Sequence, residues 1–190
     1  MARKYEKPFS KLEHGVADAV NSAGGAARTV VDAVADALTE AFQGSGKVGA
    51  SLIDALSLMA ASAVRGAAKV GGELGYVARG FLIGVLRASG QMGEVALETV
   101  ARAAHVFIGR ASEAGGDLAG AAKGLVEGAI AWAAELGEDT SRAAHTAGQA
   151  AVDAAYEVGA DAGEKVRAAL QGGIAGIQLV LKEPFKAHRR

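Results

Sequence analysis

The chain has 190 residues and a formal net charge of −1, and Ala and Gly fill 72 positions, 45 as Ala and 27 as Gly. The absence of Cys excludes a disulfide framework and any metal site built on thiolates. Val, Ile, Leu and Phe fill only 44 positions, so a single core is thin for this length, and self-association is a natural way to complete the burial of apolar surface.

The first predicted helix follows a basic N-terminal arm at residues 1–9. Residues 10–13 read Ser-Lys-Leu-Glu, which fits a capping box, so the helix begins near Ser10. Gly44-Ser45-Gly46 ends it. Its apolar stripe includes Val31 and Val34, and its polar stripe includes Asp32 and Asp36.

A second helix is predicted from the most regular spacing in the chain. From Val48 to Val85 the apolar positions follow one another at an average of 3.7 residues, as ten intervals over 37 residues. This period is close to that of an eleven-residue repeat and favours straight helices or a slight right-handed supercoil. Gly71-Gly72 can kink the helix, and we place its end at Ser89-Gly90.

The third and fourth helices are delimited by glycines and by one capping residue. The third covers 91–113 and is closed by Gly115-Gly116. Asp117 then supplies an N-cap for the fourth, which carries Trp132 on its apolar face and ends before Gly137.

Two more helices are predicted in the last third of the chain. The fifth has an N-cap within Glu138-Asp139-Thr140-Ser141 and runs to Gly172-Gly173. A short last helix begins at Ile174 and stops before Pro184, because the residue before a proline is disfavoured in the α region. No alternating apolar and polar run with β-branched enrichment is present, so we expect essentially no sheet.

The elements together predict an all-α fold of about five to six long Ala/Gly-rich amphipathic helices in an antiparallel or extended bundle. We expect a single helical body at 10–183, with basic arms at 1–9 and 184–190. The first residues lack the apolar run of a secretory signal, and the longest uncharged run, 168–181, is too short to span a membrane. These features predict a protein of the cytoplasm or of a virion, without a transmembrane segment.

Positive charge is concentrated at the two ends of the chain. Residues 1–11 and residues 182–190, the two basic ends, each have a net charge of +3, which leaves −7 for the residues between them. Clustered Lys and Arg side chains can neutralise the phosphates of nucleic acid or of anionic lipid, or contact a neighbouring subunit, whereas charged ends can also serve only solubility. The candidate contact residues are Arg3, Lys4, Lys7, Lys11, Lys182, Lys186, Arg189 and Arg190.

The strongest local pattern is the glycine row, which we define as Gly116, Gly120, Gly124 and Gly128. Its members recur every four residues in one predicted helix. Because each Gly inside a helix costs about 1 kcal/mol relative to Ala, the row indicates a flat face for close helix contact. The spacing does not distinguish contact within one chain from contact between chains, and a Gly-rich chain can also produce it by chance.

No pattern in the sequence indicates catalysis. Residues 44–49 match G-x-G-x-x-G, but the preceding segment is predicted to be helical, whereas a dinucleotide-binding turn follows a strand, so we interpret this stretch as a linker. Nucleophile motifs are absent, and we expect no catalytic residue, metal or cofactor, hence no enzyme. The histidines lack metal-ligand spacing and are interpreted as structural: His14, His105, His145 and His188.

These features favour a self-assembling structural subunit, such as a virion coat protein or nucleoprotein, that packs through Gly/Ala helix faces. Its partners would be copies of itself and nucleic acid at the basic ends. Two alternatives remain. In Ala content, absence of Cys and scarcity of Pro the chain is similar to phasins, and this resemblance implies a coat of amphipathic helices on a lipid or storage-granule surface. The other alternative is a helical adaptor for a protein partner.

Overall fold

The computed structural model of the chain describes residues 31–36, 50–69, 73–90 and 93–182. Residues 31–36 are helical. Six further helices follow: α1 (Ala50–Lys69), α2 (Leu74–Ser89), α3 (Gly93–Glu113), α4 (Leu118–Leu136), α5 (Thr140–Val158) and α6 (Ala160–Leu170). The fold is an all-α helical bundle, as the apolar periodicity predicts.

Like α3, which also packs against four other helices, α4 lies in the middle of the bundle, where it packs against α2, α3, α5 and α6. Trp132 is 4% exposed on this helix, and Phe81 of α2 packs against Phe107 of α3 with ring centroids 5.0 Å apart. Alanines fill the spaces between the larger side chains of one continuous core. The largest fully buried side chains are Phe81, Phe107, Leu56, Met59, Leu82, Leu86, Ile108, Leu125 and Leu170.

Helices α2 and α4 run in the same direction and make the most extensive contact in the bundle. Arg79 pairs with Glu127, and eight residues further along both helices Arg87 pairs with Glu135. Helix α3, which lies between α2 and α4 in the chain, runs back along the bundle. Helix α4 can therefore start at the same end as α2 and run parallel to it. Helix α1 packs against α2 and α3, and α6 packs against α4 and α5.

Several helix ends follow the local sequence signals. The Asp117 side chain accepts a hydrogen bond from the Ala119 N–H, and the Asp139 side chain accepts one from the Arg142 N–H. Gly90 and Gly137 are left-handed residues directly after α2 and α4, where glycine relieves the strain of a positive φ. These ends are set by residues adjacent in sequence, which is why they could be predicted.

The predicted apolar and polar stripes of the first helix are confirmed at residues 31–36. Val31 and Val34 are buried, whereas Asp32 and Asp36 are exposed. A methyl group added at Gly84 of α2 would lie 2.7 Å from Cβ of Val34, so this segment approaches the backbone of α2 closely. The predicted start near Ser10 and the linker at 44–49 lie outside the described residues.

The prediction of one helix from Val48 to Ser89 is wrong in its middle. Helix α1 ends at Lys69, and Glu73 has the extended φ and ψ of −70° and 119° before α2 begins. The chain is therefore divided into two helices at or before Glu73, and Gly71-Gly72, where the kink was predicted, lies outside the described residues. Two successive glycines weaken a helix by about 1 kcal/mol each, and the packing of α1 onto α2 and α3 then favours two separate helices.

The predicted fifth helix is likewise divided, at Gly159. This residue is extended, with φ 167° and ψ 158°, and it separates α5 from α6. After the break the ring of Tyr156 lies against Gly163, and the Tyr156 hydroxyl donates to Oε1 of Glu164 at 2.7 Å. Helix α6 can then bury Val166 and Leu170 against the bundle, which a continuous helix would carry away from it.

The predicted last helix from Ile174 is wrong. Ile174 and Ile177 form an isolated antiparallel bridge across Ala175 and Gly176, both of which have positive φ, and residues 178–182 follow without helix. Two reciprocal backbone hydrogen bonds close the turn, and Leu179 is 6% exposed against the body. The burial of alternate apolar side chains against α5 outweighs the weak local preference for helix here.

In the described part of the chain, none of the helices combines the length and the apolar character that crossing a membrane requires.

Candidate functional site

The glycine row lies in the contact between α4 and α2. A methyl group added at Gly124 would overlap the backbone carbonyl of Gly75, and one added at Gly128 would lie 2.9 Å from the carbonyl oxygen of Arg79. In the reverse direction, a methyl group on Gly75 would lie 3.0 Å from the carbonyl oxygen of Gly120. The two backbones therefore touch where neither helix carries a side chain, a spacing that also permits Cα–H···O contacts.

The N-terminal part of the row has different neighbours. Gly116 lies before the N-cap Asp117 and therefore outside α4, so the prediction that all four glycines lie in one helix is wrong at this position. A methyl group at Gly116 would overlap Cδ1 of Leu74 at the start of α2, and one at Gly120 would meet the side chain of Asp117. Gly116, Gly124 and Gly128 thus face α2 of the same chain. The structure uses the row for contact within one chain, so contact between chains has to involve other faces.

Charged pairs flank the glycine row on the solvent side. Nη1 of Arg79 lies 3.9 Å from Oε2 of Glu127, and Nη2 of Arg87 donates to both carboxylate oxygens of Glu135 at 3.1 and 3.2 Å. All four side chains are substantially exposed, so each pair contributes little to the free energy of unfolding, about 1 kcal/mol at most. Their main effect is to favour one register of α2 along α4.

A cleft of about 680 Å³ opens at the N-terminal end of the row, between α2, α4 and the end of α1. Its charged lining residues are Glu73, Asp117 and Glu127 against the single Lys123. Three carboxylates against one ammonium group disfavour a phosphate ligand. This cleft is therefore a poor candidate for a nucleic-acid contact.

A second cavity of about 430 Å³ lies where the ends of α3 and α5 meet α1. Nε2 of His105 lies 3.3 Å from Oε2 of Glu157, and Nη2 of Arg110 donates to the hydroxyl of Ser57 at 3.0 Å. Arg110 also pairs with Glu113. The polar groups here bind one another and tie three helices together.

Lys182 is the one predicted basic contact residue within the described residues, and its backbone is fixed to α5. The Lys182 N–H donates to Oε1 of Gln149, and Nε2 of Gln149 donates to the Lys182 carbonyl, both at 2.9 Å. The Lys182 side chain itself is at the exposed surface. The Gln149 side-chain amide thus makes the same pair of hydrogen bonds to the Lys182 backbone that a neighbouring β-strand would make. This pair of bonds holds the start of the basic C-terminal end on α5.

His145 makes a second attachment one helical turn before Gln149. Its Nδ1 lies 2.8 Å from the carbonyl oxygen of Ser141, and its Nε2 lies 3.2 Å from the backbone nitrogen of Val180. A carbonyl can only accept and an N–H can only donate, so the ring is the neutral tautomer with its proton on Nδ1. We define residues 174–182, which these two side chains hold, as the strap.

Sequence reasoning missed the roles of His145 and Gln149. The sequence carries one weak signal: the two residues are four apart on α5 and therefore lie on the same face of the helix. Their partners lie 35 and 33 residues away, in a segment that was itself predicted to be helical. Without the course of the strap, neither side chain could be assigned a partner.

The other predicted basic contact residues lie outside the described residues: Arg3, Lys4, Lys7, Lys11, Lys186, Arg189 and Arg190. His14 and His188 lie outside them as well. In the ranges that the structure does describe, no three His, Asp or Glu side chains are grouped so that they could hold a metal ion.

Comparison with known proteins identifies no relative: no family model, no curated protein and no solved structure matches the chain.

Proposed function

We propose that the chain is a non-enzymatic structural subunit that assembles with copies of itself and uses its basic ends to contact nucleic acid or neighbouring subunits. The observation that carries this proposal is the attachment of Lys182 to α5 through Gln149. The attachment starts the basic C-terminal end at a defined place on a rigid helical body. An end that served solubility alone would need no such anchor.

The charge distribution supports contact between copies. The ends carry +3 each and the intervening residues carry −7, so a basic end of one copy is attracted to the body of another. The described surface also exposes large apolar side chains, of which Val180 on the strap is 78% exposed. The others are Leu58, Tyr76, Val95, Leu136 and Val158. These side chains, rather than the glycine row, are available for contact between subunits.

The burial pattern favours this proposal over a lipid-surface coat. A coat of amphipathic helices lies on an apolar surface with its apolar face turned outward. Here the apolar faces of α2, α3 and α4 are turned toward one another, and Phe81, Phe107 and Leu125 are fully buried. A helix would have to leave the bundle before its apolar face could reach a lipid.

The proposal is tested by negative-stain electron microscopy of the purified protein at low salt, with and without duplex DNA. We expect regular filaments or shells, and a requirement for DNA would assign the basic ends to nucleic acid. Particles that form equally well without DNA would assign the ends to neighbouring subunits. Dispersed single copies in both samples would contradict the proposal, and flotation with anionic and neutral vesicles would then test the lipid coat.

A further inference from the structure

The strap is joined to the body by contacts that another copy of the chain could supply equally well. Its backbone is bound by the His145 and Gln149 side chains, and Leu179 and Leu181 pack at Gly148 of the same helix. All of these receiving groups belong to α5. The groove lies on α5, with Val126 of α4 beside Gly148, and the strap reaches it only through the connection at 171–177.

That connection contains a strained turn. Ala175 and Gly176 have φ values of 49° and 81°, and positive φ at both central residues is the pattern of a type I′ turn. Gly, Asn and Asp are the usual residues at such positions, whereas an alanine there is strained by its Cβ. Two backbone hydrogen bonds between Ile174 and Ile177 close the turn, and Ile174 is buried in the core of its own chain.

We propose that the strap is exchanged between copies, so that residues 178–182 of one chain bind α5 of a second copy. This inference rests on the proposed self-assembly and names the contact that joins neighbouring subunits. The exchanged strap makes the same hydrogen bonds and buries the same leucines as the closed one. What changes is the turn, which on opening loses both the strain at Ala175 and the two backbone hydrogen bonds between Ile174 and Ile177.

Geometry and concentration determine when exchange occurs. Ile174 is 8% exposed in the core of its own chain and stays there, so residues 175–177 make the crossing, and they span about 10 Å when extended, which reaches a bundle in direct contact. In an isolated copy the closed strap is favoured, because its own groove is always near. Within an assembly the neighbouring groove is equally near, and relief of the turn then favours exchange.

Exchange can be detected directly because the chain has no Cys of its own. A methyl group at Gly148 would lie 3.2 Å from Cδ2 of Leu181, so side chains at these two positions meet when the strap is bound. We would mix chains carrying Gly148→Cys with chains carrying Leu181→Cys, oxidise them under assembly conditions and measure the mixed dimer. That disulfide joins two chains only when the strap of one lies on α5 of the other.

The matched control pairs Leu181→Cys with Val158→Cys, because Val158 is an exposed residue on α5 that no strap contact involves. We expect abundant 148–181 dimer and only collisional 158–181 dimer. Ala175→Gly, which relaxes the closed turn, is expected to reduce the 148–181 dimer about five- to thirtyfold.

A chain with both Gly148→Cys and Leu181→Cys tests the consequence for assembly. Its own disulfide holds the strap closed, so the oxidised protein is expected to lose assembly and to regain it with reductant. If particles form while the 148–181 dimer stays at the control level, exchange is wrong and the proposed function stands. If the dimer forms without larger particles, exchange stands and the assembly of filaments or shells is wrong. If neither forms, both are wrong.

Discussion

Gly124 and Gly109 both lie inside helices, but their surroundings are opposite. A methyl group at Gly124 would overlap the backbone of Gly75, whereas one at Gly109 would meet nothing within 4 Å. We therefore expect Gly124→Ala to lower the free energy of unfolding by about 1–3 kcal/mol, because α2 and α4 must move apart. Gly109→Ala should raise it by about 0.5–1 kcal/mol, because alanine is the better helix former.

Urea unfolding of the two variants and the parent protein, followed by circular dichroism, measures both effects. Each variant is the control for the other, since the chemical change is identical. A Gly124→Ala protein as stable as the Gly109→Ala protein would show that the backbones of α2 and α4 are not in contact.

Ala175 offers a second comparison at the scale of one residue. Its φ of 49° suits asparagine better than alanine, so we expect Ala175→Asn to raise the free energy of unfolding by about 1 kcal/mol. Ala168 is an exposed residue inside α6, where the same substitution should lower it by about 0.6 kcal/mol. Thermal unfolding of both variants checks the two signs, and a loss of stability at position 175 would contradict the turn geometry.

At the scale of the element, α4 and α5 begin with a side-chain cap, whereas α2 and α6 do not. The Asp139 carboxylate accepts the Arg142 N–H at 2.9 Å, whereas Glu73 makes no such bond at the start of α2. We expect Asp139→Ala to lower the free energy of unfolding by about 1 kcal/mol and Glu73→Ala to change it by less than about 0.5 kcal/mol.

Both capping variants remove one negative charge, so the difference between them isolates the cap. Denaturant midpoints measured at two salt concentrations separate the contribution of the cap from that of the lost charge. A hydrogen-bonded cap depends on salt less than a long-range charge effect does. Equal effects of the two substitutions would mean that the Asp139 carboxylate contributes only its charge.

The elements differ in how far local sequence determined them. The ends at Gly90 and Gly137 and the cap at Asp117 depend on neighbouring residues and were predictable. The break at Gly159 was not, because an extended residue with φ 167° is open to any amino acid and leaves no signature. The turn at Gly159 allows Tyr156 to pack against Gly163 and allows α6 to pack against α4 and α5. This tertiary packing is the reason for the break.

At the scale of the whole molecule, the basic ends and the acidic body predict a salt-dependent interaction with DNA. Replacing Lys186, Arg189 and Arg190 by Gln removes three positive charges from the C-terminal end. If these side chains contact phosphates, the slope of log K against log salt becomes less steep by about 2–3. Fluorescence anisotropy with a labelled duplex over a salt series measures that slope.

The matched control removes three positive charges from the body. Arg102, Lys123 and Lys165 are exposed, and their replacement by Gln changes the net charge by the same amount. We expect the slope to stay that of the parent protein. Equal slopes for the two triple variants would mean that net charge, and not the C-terminal end, governs binding.

The sequence by itself determined the all-α class, the apolar stripe at residues 31–36, the buried face that carries Trp132 on α4, and the caps at Asp117 and Asp139. These depend on periodicity and on neighbours within one helical turn. It also marked the glycine row as a site of close contact, but only the tertiary structure decided that Gly75 of α2 is the partner. The course of the strap along α5 was likewise decided only by the tertiary structure. Its two hydrogen-bonding partners, His145 and Gln149, lie more than 30 residues away, and the free energy of burying Leu179 depends on a groove that exists only once α5 has packed.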